Sequence, residues 1–582
     1  MPKINTHLLL SPRSAPPVFG RPGVEYFEID EVDEGRARVE GEDVGGLEVR
    51  SLADGVTRMS FALEGSVVKP IDDLLELPAG EKGSPDLTEV GGVRRYRRSH
   101  GGALNTALSL GIARGRNGQR ILFDSFALTE GEELYGLGER HISVKVKGAR
   151  ERVWIGDPFV NTKASLVYLS VPLILSTGGW GVAVLDGGGV IVEAGNPTAD
   201  ALTIAVESDR LDYLMFEADD LAAVVRLVTS FFGLPKLPPD WSLGVWMSRC
   251  MYYSRDEVMT MLDALEKDGF PVAVVHLDPH WHASETARPV GEDRTSFEWN
   301  EKDFGPLDGF MAELRRRRIE LSLWESPYLR EGSALFAEAD EAGHLLAHPR
   351  GPATMDDLEW HGGIVDFTNP EAAHWWKGKH RPLLEAGVAA IKTDFGESVP
   401  ASARFSDGRT GAHLHNAYPL LYHRVVAEAC REVRGDDFVL WARSGFFGSA
   451  RDDVVWVGDS VSTWKGMIAA LRSVLSLSLS GWPFVSVDIG GFILWDEVVG
   501  PPAADLFVRW SQWGLLLSHS RFHGVGGREP VLIEEPERSM VREMCLLRMR
   551  WLPYLESLCR ESASAGAPVV RPLVYTWPDD PS

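Results

Sequence analysis

The segment at residues 391–397, IKTDFGE, contains the residues best placed to do chemistry. A small apolar run leads into two acids, Asp394 and Glu397, with Lys392 before the first and Gly396 before the second. This pattern predicts a buried strand that ends in a turn, with Asp394 presented where the strand stops. In parallel barrels the C-terminal strand ends carry the catalytic side chains. A structural ion pair between Lys392 and Asp394 is the alternative interpretation.

The elements that must position this segment are short apolar runs, which alternate with helical stretches after residue 240. The stretches at 255–267 and 307–318 have apolar residues three and four positions apart, as amphipathic helices do. The predicted strands are 243–247, 272–277, 319–324, 388–393, 438–441, 454–457 and 484–487, with an eighth near 515–518. This alternation predicts an α/β fold with a (β/α)8 TIM barrel. A doubly wound open sheet is the alternative, but no glycine-rich phosphate loop follows any of the runs.

A polar residue stands at or just after the end of most predicted strands. In chain order these residues are Asp278, Trp324, Glu325, Asp394, Arg443, Asp459 and Asp488. A parallel barrel brings its strand ends to one face, so these side chains would share a cleft. Burying many like charges is costly unless they do chemistry or bind many hydroxyls. Paired carboxylates without a metal triad or a cofactor motif indicate glycoside chemistry, in which one carboxylate attacks the anomeric carbon and the other protonates the departing oxygen.

The region before the barrel has a different pattern. Residues 1–235 contain short alternating runs broken by glycine, such as 57–63, and these predict an antiparallel β-sandwich. The proline-rich segment 235–240, PKLPPD, marks a boundary. We therefore expect an N-terminal β-sandwich domain at 1–235 and a catalytic barrel domain at 236–565.

Composition restricts the partners and the location of the protein. The chain has 84 acidic and 59 basic residues and a net charge of -25, so no basic field would attract nucleic acid or an anionic membrane. Its four cysteines lack a Cys-x-x-Cys spacing, which disfavours a disulfide framework or a zinc ribbon. The N-terminal apolar run is too short for a signal peptide, so we expect a cytoplasmic protein. No cofactor and no metal are expected.

The ordered series of motifs resembles glycoside hydrolase family 31, and within it the bacterial α-xylosidase and α-glucosidase branches. Segment 391–397 is similar to the nucleophile segment of the family, and 441–444 (WARS) followed by 455–460 (VWVGDS) is similar to its arginine and acid/base segment. The further matching segments, from about residue 130 onward, are 134–140, the loop carrying Asp157, 238–246, 365–370, 488–492 and 518–524.

This resemblance implies a role for each motif residue. Asp394 is expected to form the covalent glycosyl-enzyme, and Asp459 is expected to act first as general acid and then as general base. Lys392 and Arg443 are placed to hold Asp394 charged and to bond sugar hydroxyls. Substrate contacts are also expected from Asp157, Asp278, His280, Trp281, Trp324, Trp456, Asp488 and His523. A cap or a turn is the alternative for Asp157 and Asp278, and core packing is the alternative for the tryptophans.

Two departures from the family pattern bear on the substrate. The chain reads PHWH at 279–282, where relatives carry an aromatic or a small apolar pair. His280 could meet a C6 hydroxyl or an acidic group, or it could line the loop, while a metal site lacks supporting carboxylates. Segment 571–581 resembles the point where family members continue into C-terminal β-domains, so residues 566–582 are expected to start a β region that is truncated or absent.

The leading hypothesis is a retaining α-glycosidase that removes a terminal α-linked sugar from a xyloside, a glucoside or a specialised glycoconjugate, either a small molecule or an oligosaccharide. A transglycosylase or a lyase that uses the same residues is the second hypothesis. A carbohydrate-binding protein without catalysis is the third. The identity of the sugar stays open, and so does the oligomeric state, for which a homo-oligomer is one alternative.

Overall fold

The fold has an antiparallel N-terminal part and a parallel barrel, joined by the helix Leu221–Phe232. The structure, a computed structural model, describes residues 25–28, 31–33, 36–39, 42–83, 89–90, 92–94, 110–114, 120–158, 166–283, 295–348, 351–352, 362–493, 502–578 and 580. Within these residues no helix is both long enough and apolar enough to cross a lipid bilayer.

Two antiparallel sheets form the N-terminal part, as the alternating runs predict. The strands of the first sheet lie in the order Glu25–Glu28, Gly111–Arg114, Arg120–Ala127, Ala201–Val206, Val190–Ala194 and Arg150–Val153. Those of the second lie in the order Leu134–Gly136, Leu173–Ser176, Trp180–Val184, Arg210–Glu217, Val56–Leu63, Glu42–Ala53, Arg36–Val39 and Glu31–Asp33, and Glu81–Gly83 also pairs with Glu42–Ala53. Side chains from both sheets, such as Phe61, Leu122 and Ile204, pack in one buried core, so the sheets form a sandwich.

The second part is the predicted parallel barrel. Barrel strands 1 to 8 are Val245–Arg249, Val274–Leu277, Glu320–Glu325, Ala390–Thr393, Val439–Ala442, Asp453–Trp456, an interrupted strand made of Val485–Ser486 and Asp488–Ile489, and Ser520–Phe522. Strand 7 pairs with strand 6 before Val487 and with strand 8 after it, and strand 8 pairs with strand 1. The ring of strands is therefore nearly closed.

The eighth strand lies later in the chain than predicted. The apolar run at 515–518 is a connection, and strand 8 is Ser520–Phe522. Leu515 is the C-cap of the helix Ala504–Gly514 and has helical dihedral angles, and the carbonyl oxygens of Leu515 and Leu517 accept hydrogen bonds from Arg548. Leu515, Leu517 and Ser518 are buried, but the end of the preceding helix occupies the start of this run, and strand pairing begins only at Ser520.

Helices cover the outside of the barrel. The long helices after the barrel strands are Arg255–Lys267, Leu307–Arg317, Pro370–Ala386, Tyr418–Arg434, Trp464–Leu479, Ala504–Gly514 and Glu537–Ala565. Shorter helices are Asp72–Leu75, Glu301–Phe304, Ala334–Glu341, Gly411–Leu414 and Leu573–Thr576, and single 3-10 turns are Asp240–Leu243, Pro279–Trp281, Ser449–Arg451 and Pro530–Leu532. Two-stranded ribbons are Glu89–Val90 with Val93–Arg94, Tyr328–Arg330 with Gly362–Ile364, and Ala347–His348 with Gly351–Pro352.

The helix Arg255–Lys267 shows how the sequence specifies these elements. The Ser254 side chain caps its first turn by accepting from the Glu257 N–H, and acidic residues lie at the positive end of the helix dipole. Val258, Met261, Leu262 and Leu265 lie on one face and are buried. The predicted amphipathic pattern at 255–267 therefore corresponds to a helix that packs on the barrel.

Large aromatic side chains fill the interior of the barrel. Trp246, Trp441 and Trp456 belong to one buried cluster, and the rings of Trp246 and Trp441 lie 4.5 Å apart. The Arg521 guanidinium lies 4.8 Å from the Trp441 ring and 5.0 Å from the Trp456 ring. The barrel is therefore a packed core rather than a pore, and its side chains can reach a substrate only at the ends of the strands.

The short helix Leu573–Thr576 packs back on the helix Leu221–Phe232, which precedes the barrel. The described part of 566–582 contains the short helix Leu573–Thr576, where the start of a β region was predicted. The Tyr575 side chain is buried, and its hydroxyl accepts a hydrogen bond from Arg226. The domain limits at 235 and 565 remain predictions.

Candidate active site

Asp394 lies directly after barrel strand 4, in a sharp turn. Phe395 has a φ of 63° and Gly396 a φ of 100°, and the left-handed conformation is rare for a bulky residue such as phenylalanine. The turn leaves the Asp394 carboxylate at the C-terminal end of the strand, where the Phe395 N–H donates to Oδ1 at 2.9 Å. Asp394 therefore lies where the sequence pattern places it, at the end of a buried strand that stops in a turn.

Three side-chain donors also surround the Asp394 carboxylate. Trp324 Nε1 donates to Oδ2 at 2.8 Å, and Lys392 Nζ lies 3.2 Å from the same oxygen. Arg443 Nε lies 3.2 Å from Oδ1. Burial raises the pKa of Asp394, but the charges of Lys392 and Arg443 lower it more, so this pKa lies below its ordinary value. Asp394 is therefore held as a carboxylate.

Lys392 joins Asp394 to a second carboxylate, Asp278, which follows barrel strand 2. Its Nζ lies 3.1 Å from Asp278 Oδ1, and His276 Nε2 lies 2.8 Å from that oxygen. His523 Nε2 lies 3.4 Å from Oδ2. Burial raises the pKa of Asp278, but the charge of Lys392 and the hydrogen bond from His276 act against burial, and this pKa lies well below its usual range. Within the described residues neither ring nitrogen of the buried His523 has a hydrogen-bond partner.

The Arg443 guanidinium is shared by four carboxyl groups. It lies 3.2 Å from Asp394, 3.9 Å from Asp157 and 3.9 Å from Asp459, and it forms a direct ion pair with Glu397. Lys392 also pairs with Asp394, but the two cations still face more carboxyl groups than they balance, which favours protonation of some of these groups.

Asp459 is the carboxyl group in this cluster that is pushed toward protonation while still reaching solvent. It follows barrel strand 6, and its side chain is 23% exposed. Burial raises the pKa of Asp459, Arg443 lowers it and Asp157 raises it again, and the result is a pKa well above the ordinary value. Asp394 and Asp459 therefore lie at one guanidinium with opposite pKa shifts.

Glu397 belongs to the cluster, although the sequence analysis assigned it no role. Its side chain is fully buried against Arg443, and burial raises its pKa to about 7 although Arg443 opposes this shift. The available signal was its place as the second acid of segment 391–397.

His276 is a second residue that sequence reasoning missed. It precedes Asp278 by two positions, and side chains two apart in a strand lie on the same face. Its Nδ1 lies 2.8 Å from Ser322 Oγ on the neighbouring strand, so the ring is fixed from both sides. The period-two spacing of His276 and Asp278 was the usable signal.

The three predicted tryptophans are buried and take different positions. Trp324 donates to Asp394, as given above, and Trp456 lies beneath Lys392, whose Nζ is 5.1 Å from its ring. Trp281 is 1% exposed, and its Nε1 donates to the Trp324 carbonyl at 2.8 Å. Trp281 therefore supports Trp324 from behind.

The structure gives His280 and Asp488 protein partners. His280 Nε2 lies 2.9 Å from Asp303 Oδ2, and the ring contacts Tyr253 edge-on. Asp488 is fully buried and accepts two hydrogen bonds from Arg521, at 3.0 and 2.6 Å. The substrate contacts expected from these two residues remain predictions. Among the described residues no group of three or more His, Cys, Asp or Glu side chains has a metal-binding arrangement.

Sequence comparison assigns the barrel to a known family. The profile described as "Glycosyl hydrolases family 31 TIM-barrel domain" matches residues 235–558. An α-xylosidase of Emericella nidulans is 34% identical over 480 residues, which are 81% of this chain and 59% of the relative. An α-xylosidase of Lactiplantibacillus pentosus is 34% identical over 77% of this chain and 58% of the relative. The chain thus spans about three fifths of the length of these curated relatives.

Solved structures share the fold. A family 31 α-xylosidase from a soil metagenome, complexed with xylose, superposes with a TM-score of 0.74 at 20% identity and covers 97% of this chain and 88% of its own. A cycloalternan-forming enzyme of Listeria monocytogenes, in complex with a pentasaccharide substrate, superposes with a TM-score of 0.77 at 20% identity over 96% of this chain and 58% of its own. At this identity the superpositions establish the architecture alone.

Proposed function

The chain belongs to glycoside hydrolase family 31, and on this basis we propose that it is a retaining α-glycosidase with Asp394 as nucleophile and Asp459 as acid/base residue. The observation that carries the proposal is the position of both carboxyl groups at Arg443, 3.2 Å away for Asp394 and 3.9 Å away for Asp459, with the pKa lowered for Asp394 and raised for Asp459. When neighbouring groups shift the pKa values of two carboxyl groups in opposite directions, one carboxyl group is ionised and can act as nucleophile while the other is protonated and can act as acid. The two relatives named as α-xylosidases favour an α-linked xylose as the sugar.

The first step uses both carboxyl groups at once. An oxygen of ionised Asp394 attacks the anomeric carbon and forms a covalent ester, while protonated Asp459 gives its proton to the departing glycosidic oxygen. The charge that Asp394 loses in the ester leaves Lys392 and Arg443 facing the sugar ring, where both can donate to its hydroxyls. Deprotonated Asp459 keeps Arg443 at 3.9 Å as a counter-ion.

The second step reverses these roles. Asp459, now a carboxylate, removes a proton from a water molecule, and the water oxygen attacks the anomeric carbon and releases Asp394. Two inversions return the α configuration in the sugar product. The 23% exposure of the Asp459 side chain gives water a route to it, whereas Asp394 is 9% exposed at its side chain.

The sugar is held by groups that match hydroxyls rather than charges. Asp278 offers carboxylate oxygens, and His523 offers two ring nitrogens that lack a hydrogen-bond partner among the described residues. Lys392 is already balanced by Asp278 and Asp394, so it is not an excess cation for an anionic sugar. This arrangement favours a neutral glycone.

Removal of the nucleophile tests the proposal. Asp394→Ala should lower the release of nitrophenol from 4-nitrophenyl α-xyloside or α-glucoside by on the order of 10⁴-fold or more, because the glycosyl ester cannot form. A mechanism-based fluoroglycoside should add its mass to the wild-type peptide that contains Asp394. Asp263→Ala, at an exposed site on Arg255–Lys267, is the matched control and should retain activity. Full turnover by Asp394→Ala, or a label on another residue, would refute the assignment.

The identity of the products distinguishes hydrolysis from transglycosylation and from elimination, which would proceed through the same intermediate. Aryl α-xyloside, α-glucoside, α-galactoside and α-sulfoquinovoside should be compared, with the first product followed by NMR. Hydrolysis gives the free α-sugar first, transfer gives a new glycoside, and elimination gives an unsaturated sugar. We expect the free sugar, and the α-xyloside as the best substrate.

A further inference from the structure

Tyr168 reaches the proposed active site from the N-terminal sandwich. It lies shortly before the sandwich strand Leu173–Ser176, and its side chain is fully buried. Its ring lies beneath the Arg443 guanidinium, whose carbon is 4.6 Å from the ring centre. The guanidinium that the carboxyl cluster shares is therefore packed against a residue of the other domain.

The same ring contacts the turn that carries Asp459. Gly458 has a φ of 62°, and a Cβ atom at this position would lie 2.0 Å from Tyr168 Cε2 and 2.1 Å from Cδ2. No Cβ can occupy that space, so the ring edge lies directly on the backbone of residue 458. Tyr168 therefore touches the peptide next to Asp459 as well as the cation that faces its carboxyl group.

The sandwich holds Tyr168 from behind. The Tyr168 N–H donates to Glu139 Oε2 at 3.1 Å, and the Glu139 N–H donates to the Leu169 carbonyl at 2.9 Å. Ser170 Oγ donates to the Leu137 carbonyl at 2.8 Å. These bonds fix the backbone on both sides of Tyr168, so its ring is a rigid surface for the barrel loop.

We propose that Tyr168 is a positioning residue for proton transfer, which sets the place of the Asp459 carboxyl group through its ring contacts with Gly458 and Arg443. This inference rests on the proposed role of Asp459. A general acid must lie within hydrogen-bond reach of the leaving oxygen, and a displacement of about 1 Å can cost roughly 10²-fold in rate. The sandwich thereby completes a catalytic arrangement whose reacting groups all lie on the barrel.

This role can be tested directly by comparing substrates that differ in their leaving group. An aryl glycoside with a strongly activated phenol departs with little help from an acid, whereas an unactivated phenol needs the proton of Asp459. Tyr168→Ala should therefore lose about 10²-fold in kcat/KM for phenyl α-glycoside but only about threefold for 2,4-dinitrophenyl α-glycoside. Tyr168→Phe keeps the ring and should stay within about threefold of wild type for both.

The pH profile gives a second measurement. The Asp459 carboxyl group is partly buried and faces Arg443 and Lys392, which lower its pKa, and Asp157 and Asp394, which raise it. Tyr168→Ala lets water reach Asp459 from the side of the missing ring. Burial then raises the pKa of Asp459 less, so this pKa should fall. The alkaline limb of kcat/KM should then move to lower pH in Tyr168→Ala and stay in place in Tyr168→Phe.

Two controls separate positioning from general damage. Tyr213 is equally buried in the sandwich and donates to Asp124 at 2.7 Å, so Tyr213→Ala should affect both substrates alike. Gly458→Ala leaves the sandwich intact and pushes the turn off the ring, so it should show the same leaving-group dependence as Tyr168→Ala. This variant decides the question if Tyr168→Ala does not fold.

The Asp459→Asn variant distinguishes failure of this inference from failure of the proposed function. Its kcat/KM, which reports the first step, should fall steeply for the unactivated substrate and stay near wild type for the activated one, whereas kcat should fall for both because the second step loses its base. Equal losses of kcat/KM by Asp459→Asn on both substrates would refute its role as acid. If Asp459→Asn behaves as expected while folded Tyr168→Ala or Gly458→Ala loses both activities equally, the positioning role of Tyr168 is wrong.

Discussion

Lys392 shows at the scale of single residues how one side chain sets the chemistry of its neighbours. Its Nζ lies 3.1 Å from Asp278 and 3.2 Å from Asp394, while burial alone would lower the pKa of the lysine. The two carboxylates outweigh burial, so the pKa of Lys392 is raised and the ammonium stays charged. The ion pair suggested as the structural alternative is therefore present, and it is also what keeps Asp394 ionised.

Removal of this ammonium should change the pH dependence of the reaction. Lys392→Met deletes a charge that lowers the pKa of Asp394, so this pKa rises and Asp394 becomes protonated at higher pH. The acid limb of kcat/KM should move to higher pH, and kcat/KM at the optimum should fall by about 10²-fold.

A pH series of kcat/KM with the aryl glycoside measures this shift. Lys377→Met is the matched control, because Lys377 pairs with Glu428 and Glu432 on the surface. An acid limb that stays in place in Lys392→Met would contradict the role given to the lysine.

Arg548 shows at the scale of elements how a helix holds barrel strands together. It lies on Glu537–Ala565 and is fully buried, and burial lowers its pKa to about 10. Its guanidinium donates to the carbonyls of Leu243, Leu515, Leu517 and Ser518, at 2.7 to 2.8 Å. These carbonyls precede barrel strands 1 and 8 and would otherwise be buried without partners.

Arg548→Met should destabilise the barrel by at least about 3 kcal/mol, because four buried carbonyls lose their donor. The urea midpoint of unfolding, followed by tryptophan fluorescence, should fall accordingly. Arg550→Met, an exposed position on the same helix, should leave the midpoint within experimental error. An unchanged midpoint in Arg548→Met would mean that water replaces the guanidinium.

The two parts of the whole molecule share a polar contact surface. Arg409 of the barrel pairs with Asp73, His415 Nε2 lies 2.8 Å from the Ile155 carbonyl, and Asn416 donates to the Val153 carbonyl at 3.1 Å. Glu139 lies at this surface without exposure, and burial raises its pKa to about 8. The interface therefore contains a carboxyl group that is protonated in the folded protein near neutral pH.

This carboxyl group should make stability depend on pH. Its pKa is about 8 in the folded protein against an ordinary 4.5, so the folded state binds the extra proton. The corresponding stability is fully present below pH 4.5 and is lost as the pH rises through about 8. Glu139→Gln should flatten this fall in the midpoint of thermal unfolding.

The midpoint of thermal unfolding should be measured at several pH values for the wild type and for Glu139→Gln. The exposed Glu130→Gln serves as control and should fall with pH as the wild type does. His141 Nδ1 lies 3.8 Å from Glu139 Oε1, so a parallel His141→Ala series separates its titration from that of the carboxyl group. Equal slopes for Glu139→Gln and wild type would contradict the prediction.

Local pattern sufficed for the barrel and for its reactive strand ends. Continuous apolar runs mark strands that are buried on both faces, and strand ends converge in a parallel barrel whatever the loops do. Asp278, Asp394 and Arg443 therefore could be placed together from the chain alone. The limits of strand 8 could not, since the apolar run at 515–518 begins at the end of the helix Ala504–Gly514, and pairing with strand 1 starts only at Ser520.

The sequence by itself determined the fold class, because the apolar period is a local property of the chain, and its motifs resemble those of the family closely enough to predict which two carboxyl groups react. Only the tertiary structure decided their protonation, since the pKa of Asp459 depends on burial and on the charges of Arg443 and Asp157. It also decided that Tyr168 touches Gly458, a contact between residues 290 positions apart in sequence. Electrostatic and packing interactions depend on distances between atoms in the folded protein, and the spacing of motifs along the chain does not give those distances.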